Sequence, residues 1–116
     1  MENKNSTRYF SNLQEKRICN LLNAKQTPNS GAGKWRKGDA HQEEASLLIE
    51  CKTSMKDKTS FSIKKDWLLK NKEESFFQRL NNSCVAFNFG PEQENYFVID
   101  EKLMKFLVEK LIEENS

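Results

Sequence analysis

The sequence predicts a small α/β domain, and three observations support that prediction. Apolar runs at residues 47–49, 84–87 and 96–99 are short enough for buried strands. Longer segments between and around them carry apolar residues at helical spacing. The chain has 116 residues, which fits one domain with a single modest core, and no repeat or low-complexity linker divides it. We therefore expect one domain over residues 1–116.

The predicted order of elements is helix, three strands, helix, strand, strand, helix. The first helix is expected over about residues 7–24, where Ser6 or Thr7 can cap its start. Polar residues 40–44 then suit a turn before a strand that ends near residue 52, and residues 61–63 suit a short third strand. The apolar positions of the first helix are Phe10, Leu13, Ile18, Leu21 and Leu22.

The second half of the chain predicts two helices and two strands. A helix is expected over about residues 63–81, with Ser62 as its cap, and a strand over residues 83–89 that Gly90 and Pro91 end. A last strand at residues 96–99 leads to Asp100, which caps a helix through Glu113. The apolar face expected for the 63–81 helix comprises Trp67, Leu68, Phe76, Phe77 and Leu80.

The stretch with the most chemical information runs from Asp39 to Lys52. On a strand, Glu50 and Lys52 leave on the same side, with α-carbons roughly 6.6 Å apart. A hairpin across the polar turn could bring Asp39 beside Glu50. Two carboxylates beside a lysine suit a hard divalent cation, Mg²⁺ first, and a water molecule. Taken alone, Glu-Xaa-Lys is more often a solvated ion pair.

Other reactive residue types suggest no second site. Cys19, Cys51 and Cys84 are an odd number without a close pair, so we expect buried free thiols rather than disulfides or zinc ligands. The single histidine, His41, is expected in the turn rather than in catalysis. No apolar run approaches 18 residues and the N-terminal start is polar, so we expect no membrane association and a cytoplasmic, intracellular location.

Positive charge is concentrated in the middle of the chain. Residues 25–65 carry nine lysines and arginines against five acids, although the formal net charge of the whole chain is only +2. This segment suits phosphate binding, and the acidic C-terminal segment would face away, but a solvated face would look the same. The loop around Gly31 and Gly33 offers exposed amides to a phosphate, or is only a turn. Trp35 suits a base contact or the core.

Taken together, these motifs resemble the PD-(D/E)XK nuclease superfamily, and within it the small archaeal-type and phage-type Holliday junction resolvases. The similarity covers roughly residues 15–89, and a glycine, Gly38, stands where the superfamily name has proline. It implies a restriction-endonuclease-like core, a central mixed β-sheet flanked by helices. The matching motifs are Pro28-Asn29-Ser30-Gly31-Ala32, Lys37-Gly38-Asp39, Leu48-Ile49-Glu50-Cys51-Lys52-Thr53 and Ser62-Ile63-Lys64-Lys65-Asp66-Trp67.

The resemblance also implies roles for single residues. Asp39 and Glu50 would bind Mg²⁺, for which Mn²⁺ can substitute, and Lys52 would orient or activate the attacking water. Glu15, which could otherwise be a solvated helix residue, would complete the site. Ser30 would lie near the scissile phosphate. Further expected DNA contacts come from the basic residues Lys34, Arg36, Lys37, Lys56, Lys58 and Lys64.

The implied activity is metal-dependent hydrolysis of phosphodiesters in branched DNA, with a phage origin also consistent. Two alternatives stay open: a sequence-specific or repair nuclease of the same fold, and a nucleic-acid-binding module without catalysis. A resolvase cuts two strands symmetrically, so a homodimer is expected. The last helix has more apolar circumference than one stripe requires, which either a second copy or a groove of the same domain could cover.

Overall fold

The computed structural model describes residues 7–27 and 39–116. It is an α/β structure in which three helices flank a five-stranded mixed sheet. Among the described residues, no helix is long and apolar enough to cross a membrane. The elements are α1 Thr7–Leu22, β1 Lys25–Gln26, β2 Ala40–Gln42, β3 Leu47–Lys52, α2 Lys65–Phe77, β4 Asn82–Phe87, β5 Tyr96–Val98 and α3 Glu101–Asn115.

The strands lie in chain order across the sheet, β1-β2-β3-β4-β5. The pairs β1–β2, β2–β3 and β4–β5 are antiparallel, whereas β3 and β4 are parallel. Parallel neighbours need a crossover connection, which the chain makes through α2. The central strand β3 therefore lies between a hairpin partner and a crossover partner.

The core forms on both faces of β3 and β4 because side chains alternate along a strand. On one face, Ile18 of α1 packs with Ile49 and Cys84, and all three are buried. On the other face, Leu48 and Val85 are fully buried. Helix α2 lies over this second face. All three cysteines of the chain are free thiols, but only Cys84 is buried as expected, whereas Cys19 and Cys51 are partly exposed.

Helix α2 differs most from the sequence prediction. It runs from Lys65 to Phe77, with Lys64 at its N-cap position and no side-chain cap, so Ser62 is not the cap. Its buried residues are Asn71 and Ser75, whereas Phe76 and Phe77, expected on the apolar face, are 79% and 71% exposed.

The physical reason lies in the backbone of the sheet below. The Nδ2 atom of Asn71 donates to the carbonyl oxygen of Cys84 at 2.9 Å, and to that of Leu48 at 3.4 Å. These bonds satisfy the Nδ2 donor of the buried amide, although its Oδ1 atom has no hydrogen-bond partner among the described residues. Asn71 therefore faces the sheet, and the two phenylalanines at the helix end point elsewhere.

The predicted strand at residues 61–63 is wrong. These residues form no regular element, and the Phe61 ring packs against Phe87 with centroids 5.2 Å apart. Phe61 thus covers the face of the sheet instead of extending its edge. The third strand before α2 is instead β1, which was not predicted.

His41 was expected in a turn and is instead a buried residue of β2. Residues 40–42 belong to the strand, and the hairpin turn lies at residues 43–46. Ser46 takes a positive φ of 52° there and its backbone N–H donates to the Glu43 carbonyl oxygen. The tight turn thus lets residues that look loop-like join the sheet.

The predicted cap at the start of α3 is confirmed. The packing of the helix differs from the alternative in which a groove of the same domain covers its apolar circumference. The Asp100 side chain accepts a hydrogen bond from the Leu103 backbone N–H at 2.8 Å, as expected of an N-cap. All residues of α3 are described and none is buried. The apolar side chains left exposed are Met104, Phe106, Leu107, Val108, Leu111 and Ile112.

Candidate active site

The β2–β3 hairpin brings Asp39 and Glu50 together. Ala40 pairs with Ile49, so Asp39 lies opposite Glu50 one step further along. The Asp39 backbone N–H donates to the Ile49 carbonyl oxygen at 3.0 Å, which continues the pairing to this position. The Cys51 backbone N–H donates to Asp39 Oδ2 at 2.8 Å, and this bond orients the carboxyl group.

The two carboxyl groups are close enough for each to change the pKa of the other. Burial raises the pKa of Asp39, while the Cys51 N–H and the Lys52 ammonium oppose that rise. Burial and then the Asp39 charge raise the pKa of Glu50. Two neighbouring carboxylates repel each other, and a nearby positive charge relieves that repulsion. The site therefore has a place for a positive charge.

Lys52 supplies part of that charge. Its Nζ atom lies 3.3 Å from Glu50 Oε2, with side chains 29% and 26% exposed respectively. The same Nζ atom lies 4.5 Å from the ring centroid of Trp67. The side chains of Glu50 and Lys52 thus extend from the same face of β3, and the first turn of α2 packs beside them.

Glu15 reaches the neighbourhood from α1. Its pKa is raised to about 7 by burial first and then by the Asp39 charge, with a smaller contribution from Glu50. The Gln26 side chain donates to Glu15 Oε1 at 3.3 Å and opposes the rise. The Glu15 carboxyl group is therefore close enough to Asp39 and Glu50 for their charges to raise its pKa.

A groove with a volume of about 570 Å³ opens beside Glu50 and Lys52. Its size lies in the range of ligand-binding clefts. Helix α2 forms the opposite wall, where Lys70 pairs with Asp66 at 3.3 Å. The lining residues are Glu50, Lys52, Asp66, Trp67, Lys70, Asn71, Glu73 and Glu74.

One supporting residue was not identified from the sequence. Gln14 of α1 is only 4% exposed, and its Nε2 atom donates to the Lys52 carbonyl oxygen at 2.7 Å and to Asn95 Oδ1 at 3.0 Å. It thereby fixes the end of β3 from which the Lys52 side chain leaves. A sequence signal existed, because Gln14 precedes Ile18 by four positions and so shares the apolar face of α1.

The residues expected to contact DNA divide into two groups. Lys64 lies near the site, with Nζ 5.8 Å from the Trp67 centroid, and Lys58 lies 6.0 Å from the Phe61 centroid. Lys56 is exposed in the turn that Ser54 stabilises. The remaining residues lie outside the described part of the chain: Ser30, Lys34, Arg36 and Lys37, together with Trp35 and the glycine loop.

Within residues 7–27 and 39–116, no group of three or more His, Cys, Asp or Glu side chains is close enough to hold a metal ion. The pair formed by Asp39 and Glu50 is thus the candidate donor set, with Glu15 as a more distant neighbour. Comparison with known proteins gave no match to a family model, a curated protein or a solved structure.

Proposed function

We propose that this chain is a metal-dependent endonuclease that hydrolyses phosphodiesters in branched DNA, with a core of the PD-(D/E)XK type. The observation that carries the proposal is the position of Asp39 opposite Glu50 across the hairpin, with the Lys52 ammonium 3.3 Å from Glu50. Ordinary surface ion pairs do not bury two acids against each other, because their repulsion costs stability.

The topology around these residues supports the same proposal. The Glu-Xaa-Lys segment lies on the central strand, Asp39 precedes its hairpin partner, and a helix and a parallel strand follow. This order is the one that the resemblance to the superfamily implies for a restriction-endonuclease-like core. Gly38, which replaces the proline of the superfamily name, lies outside the described residues.

The donor set fits a hard divalent cation. Asp39 and Glu50 supply carboxylate oxygens whose charges repel each other, and a cation between them would relieve that repulsion. Mg²⁺, or Mn²⁺ in its place, would lower the pKa of a bound water and stabilise negative charge on the phosphate. Glu15 would increase the negative potential at that position.

In an in-line hydrolysis, each of these protein groups would have a separate role. The Cys51 N–H keeps Asp39 oriented, so the oxygens of Asp39 and Glu50 stay together. The Lys52 ammonium can donate to the attacking water or to a phosphate oxygen, which stabilises the charge that develops in the transition state. Lys64 and the other basic residues bind the DNA backbone without reading its sequence.

Resolution of a four-way junction requires two such sites. We infer a two-fold homodimer whose interface includes the exposed apolar face of α3. Exposed apolar patches of this kind mark interaction surfaces, and a two-fold interface uses the same patch on both copies.

Purified protein should be assayed against four-way junction, flap and linear duplex DNA, each with and without Mg²⁺. We expect cleavage of the junction that requires the metal and is absent in Glu50→Gln. Glu73→Gln is the matched control, because Glu73 lines the same groove outside the carboxyl pair. Binding without cleavage of any substrate would contradict the proposal and favour a non-catalytic module.

A further inference from the structure

The ammonium group of Lys52 has two partners of different kinds. One is Glu50 Oε2 at 3.3 Å, and the other is the face of the Trp67 ring, whose centroid lies 4.5 Å from Nζ. The first contact uses one of the three N–H donors of the ammonium group, whereas attraction to a ring face depends on charge and position. The Trp67 contact thus holds the cation near one point without using a carboxylate.

Trp67 is itself fixed by a closed circuit of contacts. Lys52 and Phe87 are register partners on β3 and β4, so their side chains leave the same face of the sheet. The Phe87 ring packs on Phe61 at 5.2 Å, and Phe61 packs on Trp67 at 6.5 Å, between ring centroids. The position of the indole therefore depends on four parts of the fold together: β3, β4, the segment before α2 and the first turn of α2.

This circuit is important because the Glu50 contact of Lys52 changes during the proposed reaction. A carboxylate that binds a divalent cation shares its negative charge with that cation and attracts Lys52 less strongly. The indole contact does not involve the Glu50 oxygens, so it persists. With Glu50 engaged elsewhere, the N–H donors of Lys52 are released toward water and phosphate, while the ammonium group stays in place.

We propose that Trp67 is the positioning residue for Lys52: its ring holds the ammonium group at the site when Glu50 binds the metal ion. This inference rests on the proposed nuclease function for its kinetic consequence, but not for its geometry. Lys64, 5.8 Å from the same ring, is a second cation near the indole.

The geometry can be tested without any activity. In NMR spectra of the metal-free protein, the ring current of Trp67 should shift the ε-methylene protons of Lys52 upfield. Trp67→Met, which keeps an apolar side chain but removes the ring, should abolish that shift, and Trp67→Phe should retain part of it. Unshifted ε-methylene protons in the wild-type protein would overturn the inference, whether or not the protein cuts DNA.

The kinetic test uses single-turnover cleavage of a four-way junction. Trp67→Met should lower the rate about tenfold with an unchanged Kd for DNA, and Trp67→Phe should recover most of the loss. In a Lys52→Ala background, Trp67→Met should have no further effect, because Trp67 acts through Lys52. Phe77→Leu is the control on the same helix, since Phe77 is 71% exposed and should leave the rate unchanged.

The outcomes separate the inference from the proposed function. If the upfield shift is present but no DNA is cut, the proposed function fails and the geometry stands. If cleavage occurs and Trp67→Met lowers the rate equally with and without Lys52, the indole acts independently of the lysine and the inference is overturned. Circular dichroism and thermal melting of each variant establish that the rates refer to folded protein.

Discussion

The end of β3 that carries Lys52 and the surface of helix α3 differ in how completely the described chain covers their side chains. At the end where Lys52 leaves the sheet, Asp39, Glu50 and Trp67 come from separate elements and satisfy one another. On α3, by contrast, the larger apolar side chains stay exposed, up to 63% for Ile112. The first region is a cluster of polar groups held by contacts within one chain, and the second is an apolar surface without a cover in the described residues.

The contrast follows from how each region is attached. The site lies on adjacent strands, whose hydrogen bonds determine positions to within a fraction of a residue spacing. At the start of helix α3, an ion pair at 3.0 Å joins Asp100 to Lys72 of α2. A cavity of about 680 Å³ remains between α3 and the sheet. It includes Phe97, Ile99 and Leu103 in its lining.

The comparison teaches that the chemistry and the assembly of this protein can be tested separately. Changes at the site end should alter turnover and leave the association state intact. Changes on α3 should do the reverse. A variant at either end that altered both properties together would show that the two regions are coupled.

The largest effect is expected at the carboxyl pair. Asp39→Asn should reduce cleavage of a four-way junction by a factor on the order of 10³ or more, because the divalent cation loses half of its charged donor set. DNA affinity without metal should remain or increase, since one repelling charge is removed. Gel-shift and cleavage assays on the same preparation measure both quantities, and wild-type cleavage by Asp39→Asn would exclude this metal assignment.

A smaller loss is expected for Lys52. Lys52→Ala should lower turnover by about 10²-fold, as for removal of a single donor to a developing charge, with a change in KM well below that factor. The measurement is steady-state cleavage at several DNA concentrations, with Lys70→Ala as a control from the opposite wall of the groove. An effect confined to KM would make Lys52 a phosphate-binding residue instead.

The α3 surface should control association. Light scattering at micromolar concentration is expected to give a dimer mass for the wild-type chain, and Leu111→Glu should give a monomer, because an unpaired charge would be buried at the interface. The monomer should still nick DNA in Mg²⁺ but lose paired incision of a junction. A monomer mass for the wild-type protein that DNA does not change would remove the resolvase assignment in favour of a nicking nuclease.

The smallest effect concerns stability and pH. The Glu15 pKa is raised from 4.5 to about 7, so the folded state retains a proton that the unfolded state releases in this window. Stability without metal should therefore fall as the pH rises from about 4.5 to about 7 and then level off. Glu15→Gln should raise the Tm at pH 8 relative to wild type and leave it nearly unchanged at pH 4. Equal shifts at both pH values would exclude Glu15 titration as the cause.

Several features could be read from the sequence because they depend on local patterns. The three helices, the strands β3, β4 and β5, the common side of Glu50 and Lys52, and the Asp100 cap follow from residue periodicity and from short-range hydrogen bonding. A hairpin between Asp39 and Glu50 was also expected, but its register was not, because the turn lies at residues 43–46 and not at 40–44.

Other features were decided by tertiary contacts. The face of α2 that meets the sheet carries Asn71, hydrogen-bonded to the Cys84 carbonyl oxygen, whereas Phe76 and Phe77 stay exposed against their apolar character. The Phe61 ring packs over the sheet instead of joining its edge. The contact of Lys52 with Trp67 joins residues 15 positions apart through a sheet and a helix, so no local periodicity could reveal it. Residue patterns determine each element, but which atoms meet between elements depends on backbone groups whose positions exist only in the folded chain.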